Sequence, residues 1–274
     1  MNNNITSSLS QQEFRLLATL ADRGQTLFTV AQARATGVVP EPYLAPVLQR
    51  LVRKRLLARL TRGLYLLIPI EAGAERRWSE DALVIGCALA RPGAIAYWSA
   101  LNYHGLTEQL PGVVFVATPA AKFNPSPEVL GVQYRFIRVQ PRKFFGIITR
   151  SVGRQEIQVT DLEKTVVDAL DHPEYSGGLV EGAKALYTAW PAVVPQTVLA
   201  YVRRLGNSAV GKRLGFLLER FGLAPARYLE QVRRRLRPGL SKLEPLHPFV
   251  GPCCTRWGLR LNMPLEDLES WRRS

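Results

Sequence analysis

The chain has 274 residues, 36 of them lysine or arginine and 22 aspartate or glutamate, for a formal net charge of +14 with 47% hydrophobic residues. That hydrophobic share excludes a disordered basic tail and can build one large domain or two modest ones. The longest apolar stretch, Ala82–Ala90, is half a bilayer span, and the start lacks the basic head and apolar body of a signal peptide. The three cysteines, Cys87, Cys253 and Cys254, lack the spacing of a disulfide framework or a zinc ribbon. A cytoplasmic protein with no membrane contact, no metal and no cofactor is the expectation.

The positive charge is uneven. Residues 1–70 carry nine basic and three acidic residues, residues 71–180 carry 11 and 12, and residues 181–274 carry 16 and seven. Two basic ends around a neutral middle suggest two polyanionic contacts.

In chain order, Ser10-Gln-Gln-Glu13 has the form of a capping box, with Leu9 and Phe14 at staple positions. Phe14, Leu17, Ala18 and Ala21 follow at helical spacing, and Gly24 ends the run. Thr29-Val-Ala-Gln32 is a second capping box, opening a short helix that stops at Gly37. A third helix starts near Pro42, with Leu44, Val47, Leu48, Leu51 and Val52 as its inner stripe. Two β-prone runs, 56–60 and 64–68, flank a tight turn at Thr61-Arg62-Gly63. Three helices and a basic hairpin form the order of a winged helix-turn-helix. Such a module lays a helix in the major groove and its hairpin along phosphates. Gln49, Arg50, Arg53 and Lys54 on the third helix, with Arg59 and Arg62 on the hairpin, are the expected DNA-binding residues. Pro42 and Pro46 on the outer face donate no backbone hydrogen bonds, which favours shape and phosphate recognition over base readout.

Residues 71–78 read as a charged linker, and Ser79, with Glu80 and Asp81, as the start of a helix running to Ala90. Strands are expected at 113–118, 132–139 and 157–159. Thr160-Asp-Leu-Glu163 reads as a capping box, and helices are expected near 180–189, 196–205, 209–221 and 226–236. The fold class is therefore α+β: a winged helix over 1–70, then a mixed α/β domain over 79–274 that ends mostly helical, with a sub-boundary near 155–180.

Four segments carry a resemblance. Ala96-Tyr-Trp-Ser-Ala-Leu-Asn-Tyr-His-Gly-Leu-Thr-Glu-Gln-Leu-Pro111, the stretch from Thr160 to Gly178, Lys212-Arg-Leu-Gly-Phe-Leu-Leu-Glu219 and Arg256-Trp-Gly-Leu-Arg-Leu-Asn262 resemble, in order, segments of the AbiEi family. These are antitoxins of bacterial type IV toxin–antitoxin, or abortive-infection, systems. The resemblance implies an autorepressor whose winged helix binds inverted repeats in its own promoter. It also implies a C-terminal domain that counteracts a nucleotidyltransferase-like toxin of the same operon, without a required complex. The basic cluster Arg233, Arg234, Arg235 and Arg237 is the expected toxin-antagonising region. The two outer-face prolines depart from the polar or basic residues usual at those positions.

Other signals are weaker. Gly206-Asn-Ser-Ala-Val-Gly-Lys212 has P-loop spacing, but Arg213 stands where a magnesium-binding hydroxyl belongs, so the stretch is expected to join two helices. His104, His172 and His247 read as capping or packing residues, Asp161 and Glu163 as helix-start acids. Ser99 and Ser208 have no recognisable base, and Trp98, Tyr103 and His104 read as packing residues. No catalytic constellation emerges and the chain reads as a non-enzyme. Two other readings stay open: a winged helix fused to a cryptic nuclease- or nucleotidyltransferase-type domain, and a plain transcription factor with a ligand-sensing or dimerisation domain.

Overall fold

The computed structural model describes residues 9–68, 82–109, 112–121, 127–153 and 155–272. The expected linker and the expected Ser79 cap lie outside them. The chain divides into two compact units, residues 1–85 with 151–155, and residues 86–150 with 156–274.

The N-terminal unit begins with α1 (Gln11–Asp22). The Ser10 hydroxyl accepts from the Glu13 N–H at 3.2 Å and the Ser10 N–H donates to Glu13 at 2.9 Å, a complete capping box. The helix is rotated from the expected face. Glu13, Leu16 and Leu20 are buried, whereas Phe14 is 60% exposed and Leu9 also lies open. The inward residue that sequence periodicity overlooks is an acid, Glu13, which reading by apolarity cannot place inside.

Next come β1 (Leu27–Thr29), α2 (Val30–Arg34), α3 (Glu41–Arg53), β2 (Leu57–Thr61) and β3 (Leu64–Leu67). The Thr29–Gln32 capping box forms as expected. The α3 stripe is inward, with Leu44, Val47, Leu48 and Leu51 buried against Leu16, Leu20, Phe28 and Leu57. Burying each such side chain contributes about 1.5–3 kcal/mol. The three strands pair antiparallel in the order β1-β3-β2. Gly63, at φ +82°, closes the β2–β3 hairpin, and a register shift between Arg59 and Thr61 bends its outer strand.

The C-terminal unit starts within α4 (Ala82–Leu89) and carries β4 (Ala94–Ile95), α5 (Tyr97–Tyr103), β5 (Val113–Thr118), β6 (Glu128–Val129), β7 (Val132–Arg138), β8 (Ile147–Val152) and β9 (Gln155–Thr160). These strands form one sheet in the order β6-β7-β5-β4-β9-β8, in which β5 and β7 run parallel from Val113↔Gln133 to Thr118↔Arg138. Five helices follow: α6 (Leu162–Asp171), α7 (Leu179–Ala189), α8 (Pro195–Leu205), α9 (Ser208–Arg220) and α10 (Ala226–Arg233). The cap of α6 is Asp161 rather than Thr160. Its carboxylate accepts from the Lys164 N–H at 2.7 Å and from the Tyr201 hydroxyl at 2.8 Å, while Glu163 accepts from the Val194 N–H. The Thr160 hydroxyl is engaged with the Thr165 hydroxyl at 2.7 Å, and the Asp161 carboxylate takes the third amide, so the cap moves one residue along. A small sheet of β10 (Ser241–Lys242), β12 (Leu259–Arg260) and β11 (Cys253–Cys254), in that order, and a 3-10 turn at Asp267–Arg272 complete the unit.

The main core lies among α6, α7, α8 and α9, with Trp257 and Leu259 of the last loops packed into it. Trp257 lies flat on Gly215, where any added Cβ would collide with its ring, and its indole N–H donates to Glu219 at 2.6 Å. The third and fourth AbiEi-like segments are thus packing partners. The first two likewise meet: Tyr97, buried and held at the left-handed φ of +54°, stands edge-on to His172 and Tyr175. Such a backbone conformation costs about 1–3 kcal/mol and persists only where surrounding contacts impose it. His104 also joins these segments through its ring nitrogen on the Thr160 carbonyl at 2.8 Å.

Candidate nucleic-acid interface

The inner stripe of α3 fixes which side chains point outward. Gln49 and Arg53 are exposed, and so are Glu41, Pro42, Tyr43 and Pro46 near the helix start. Arg59 and Arg62 are exposed on the β2–β3 hairpin, with the Arg59 guanidinium donating to the Thr61 carbonyl at 3.4 Å. Arg53 and Arg62 have no carboxylate partner among the described residues. These four expected contacts, Gln49, Arg53, Arg59 and Arg62, are therefore presented to a ligand.

Arg50 and Lys54 stand differently. Arg50 Nε donates to Glu13 at 3.1 Å and Lys54 Nζ donates to the other carboxylate oxygen at 2.7 Å. Glu13 is 1% exposed and also closes the α1 capping box. Burial pushes its carboxyl upward, but bonds from Lys54, the Ser10 N–H and Arg50, with the Lys54 charge, outweigh this and hold it at about 2. Arg50 and Lys54 thus fasten α3 to α1, and only part of their charge remains for an outside anion. Glu13 is the residue that sequence reading missed. Its capping-box position was legible but its burial was not, because the cations that hold it lie 37 and 41 residues along the chain.

Sequence reading also passed over Tyr43, 63% exposed on α3. It lies in the N-terminal half of the helix, the part that approaches base edges in modules of this type. Arg34 is paired with Glu41 at 2.7 Å across α2 and α3.

The expected C-terminal cluster sits at the end of α10 and in the turn after it. Arg233 and Arg234 share Glu230 at 2.9 and 3.0 Å, and Arg235 donates to the Gln231 carbonyl at 2.6 Å. The Arg237 N–H donates to Ser208 at 2.9 Å, leaving its exposed guanidinium without a carboxylate partner among the described residues. The P-loop-like stretch joins α8 to α9, with Asn207 as the α9 cap and Gly206 as the α8 terminator. Arg213 is internal, donating to the Leu170, Lys242 and Leu243 carbonyls.

The other chemistry-bearing groups are internal. Lys164 pairs with Asp168, and Asp171 meets Asn207 at 2.6 Å and Lys143 at 3.7 Å. Burial raises the Asp168 carboxyl above its usual range against the pull of Lys164. With Tyr97 and His172, the Lys143, Lys164, Asp168 and Asp171 side chains border a void of about 20 Å³, the size of about one water. No three His, Cys, Asp or Glu side chains among the described residues could jointly hold a metal ion. Among them, no helix is long and apolar enough to cross a membrane.

Three short helices, a hairpin wing and a cationic outward face define a winged-helix module. Residues 15–68, within the N-terminal unit, match the family model described as "Transcriptional regulator, AbiEi antitoxin". No curated protein matches the chain. Among solved structures, the crystal structure of the RV2827C protein from Mycobacterium tuberculosis is similar in fold. Its TM-score is 0.70 at 15% identity, over 97% of this chain and 96% of that one.

Proposed function

We propose that the protein is a DNA-binding autorepressor and antitoxin, its winged helix occupying its own promoter at inverted repeats. The observation that carries this reading is the exposed cationic set Arg53, Arg59 and Arg62, with no carboxylate partner among the described residues, on a module that matches the AbiEi regulator family model. Each neutralised phosphate steepens the salt dependence of binding by roughly 0.9 in log–log slope. Arg53→Ala with Arg62→Ala therefore lowers that slope by about 1.8 on the upstream DNA of the gene, with folding unaffected. An unchanged slope in fluorescence anisotropy would remove these residues from the interface.

The C-terminal unit is the antitoxin part and acts against a nucleotidyltransferase-like toxin encoded beside it. The support is the four-segment AbiEi resemblance together with the solvent-facing Arg233, Arg234, Arg235 and Arg237. Changing these four to glutamine abolishes rescue when the protein is co-expressed with the neighbouring toxin gene. Full rescue by that variant would exclude the cluster from antitoxicity.

A further inference from the structure

Two adjoining cavities open on the C-terminal unit and share Leu236 and Arg237 as their common wall. The smaller, about 140 Å³, is bordered by Arg203, Arg235 and Arg237. The larger, about 430 Å³, is bordered by Lys212, Arg233, Arg237 and Arg256. Among the described residues no carboxylate lines either one. Arg233 and Arg256 are offset from behind, by Glu230 and by Glu219 at 2.7 Å.

Lys212 is the informative member. The residue is 3% exposed, yet its amine meets only neutral acceptors, the Gly239 carbonyl and the Ser241 hydroxyl. A buried cation without a counter-charge is costly, and native proteins pair such groups. Gly258, at φ +62°, brings its backbone against this side chain, where an added Cβ would stand 3.3 Å from both Cε and Nζ. Burial also lowers the Lys212 pKa, a penalty that a bound anion would reverse. The wall between the cavities is fixed, because the Arg237 N–H is tied to Ser208.

We propose that these paired cavities bind two neighbouring phosphate groups, with Arg237 shared between them and Lys212 and Arg235 each serving one side. The ligand is recognised by its phosphates. Trp257 is 1% exposed and its indole N–H is committed to Glu219, so it offers no open face for base stacking. Adjacent phosphates occur in a nucleoside polyphosphate and in a nucleic-acid strand. This inference does not depend on the winged helix contacting DNA.

The test uses the full chain and three probes: inorganic tripolyphosphate, ATP without added metal, and an oligothymidylate strand. Binding is followed by calorimetry up to about 1 mM ligand, a weak-affinity ceiling. Wild type binds, and Arg237→Gln weakens binding about tenfold, as expected for one lost charge-assisted contact. Binding of tripolyphosphate and ATP assigns the site to small polyphosphates. Binding of the strand alone, lost in Arg237→Gln but retained in the Arg53→Ala, Arg62→Ala protein, assigns it to nucleic acid. No binding by any probe, or binding indifferent to Arg237→Gln, overturns the proposal. Arg237 is exposed, so its variant folds. A tripolyphosphate-induced rise in Tm in wild type and not in the variant provides the second measurement.

Discussion

Glu13 is the point at which the fold of the N-terminal unit and its charge meet, and Glu13→Gln separates the two. Glutamine retains an acceptor for the Ser10 N–H, so the capping box survives. Both ion pairs, to Arg50 and Lys54, are lost. The carboxyl is lowered from 4.5 to about 2, which by linkage corresponds to about 3 kcal/mol as an upper value. Arg50 is 42% exposed and Lys54 18%, so both regain hydration when released, and about 2 kcal/mol is the expected loss. The sign follows from the depressed pKa. The contribution is complete above 4.5 and disappears as pH falls from 4.5 to about 2. Urea denaturation of wild type and variant at pH 7 and at low pH checks this: the difference is largest at pH 7 and shrinks through that window. Equal stability at pH 7, or a difference that persists at the lowest pH, refutes the role given to Glu13. The same variant reads the interface. If Arg50 and Lys54 are held back by Glu13, their release steepens the salt slope of DNA binding by up to about 1.8.

Gln49→Ala lowers the preference for promoter over random DNA, by about 1–3 kcal/mol if Gln49 reads a base edge, and leaves the salt slope unchanged. Competition binding at two salt concentrations measures both quantities. Gly215→Ala drives a methyl group into the Trp257 ring and destabilises the C-terminal unit by about 1–3 kcal/mol, read from denaturation and tryptophan fluorescence. Tyr201, pushed up to about 12 by burial and by its bond to Asp161, keeps its proton in the folded state beyond the usual 10. Its contribution is complete below 10 and is lost as pH rises toward 12, and an ultraviolet titration of Tyr201→Phe lacks this late-ionising group.

The helices of both units were legible because their signals are local: a cap, a stripe and a terminator lie within a dozen residues. The α3 stripe and the capping boxes of α1 and α2 form as their sequences predict. Short strands were not legible. β1, β4 and the three strands of the last sheet have two or three residues each, too few to show a period of two. α5 was missed for another reason. Its face is buried through Tyr97, Ser99, Ala100 and Leu101, so no polar side marks its turn. The α1 face and the α6 cap were misplaced because each depends on an acid with partners far along the chain, cations for Glu13 and the Tyr201 hydroxyl for Asp161. Lys54 is 41 residues from Glu13. The buried Lys212 was hidden in the same way, its glycine neighbours coming from segments 27 and 46 residues away.

Net charge and available charge differ in both basic regions, and the difference bears on recognition. In the first seventy residues Glu13 engages Arg50 and Lys54, and Glu41 engages Arg34. Of the cations left open among the described residues, Arg15 and Arg23 lie on and just after α1, and Arg53, Arg55, Arg59 and Arg62 follow one another from the end of α3 through the wing. The start of α3 carries instead Glu41, Pro42, Tyr43 and Pro46. On the proposed DNA-binding reading, phosphate attraction is strongest at the wing and the helix end, while Tyr43 near the start of α3 and Gln49 further along it are the exposed side chains placed to discriminate bases. That reading puts affinity and selectivity on different side chains, and it predicts that a variant of one leaves the other intact. In the C-terminal region Arg213 is consumed by backbone carbonyls, and Arg220 and Arg256 by Glu269 and Glu219. Arg203, Arg235, Arg237 and the buried Lys212 border the paired cavities without a carboxylate partner among the described residues, while Arg204, Arg227, Lys242 and Arg260 lack one elsewhere on the unit. Four cations thus converge on two adjoining cavities, a local concentration of charge that favours a compact phosphate ligand at that place.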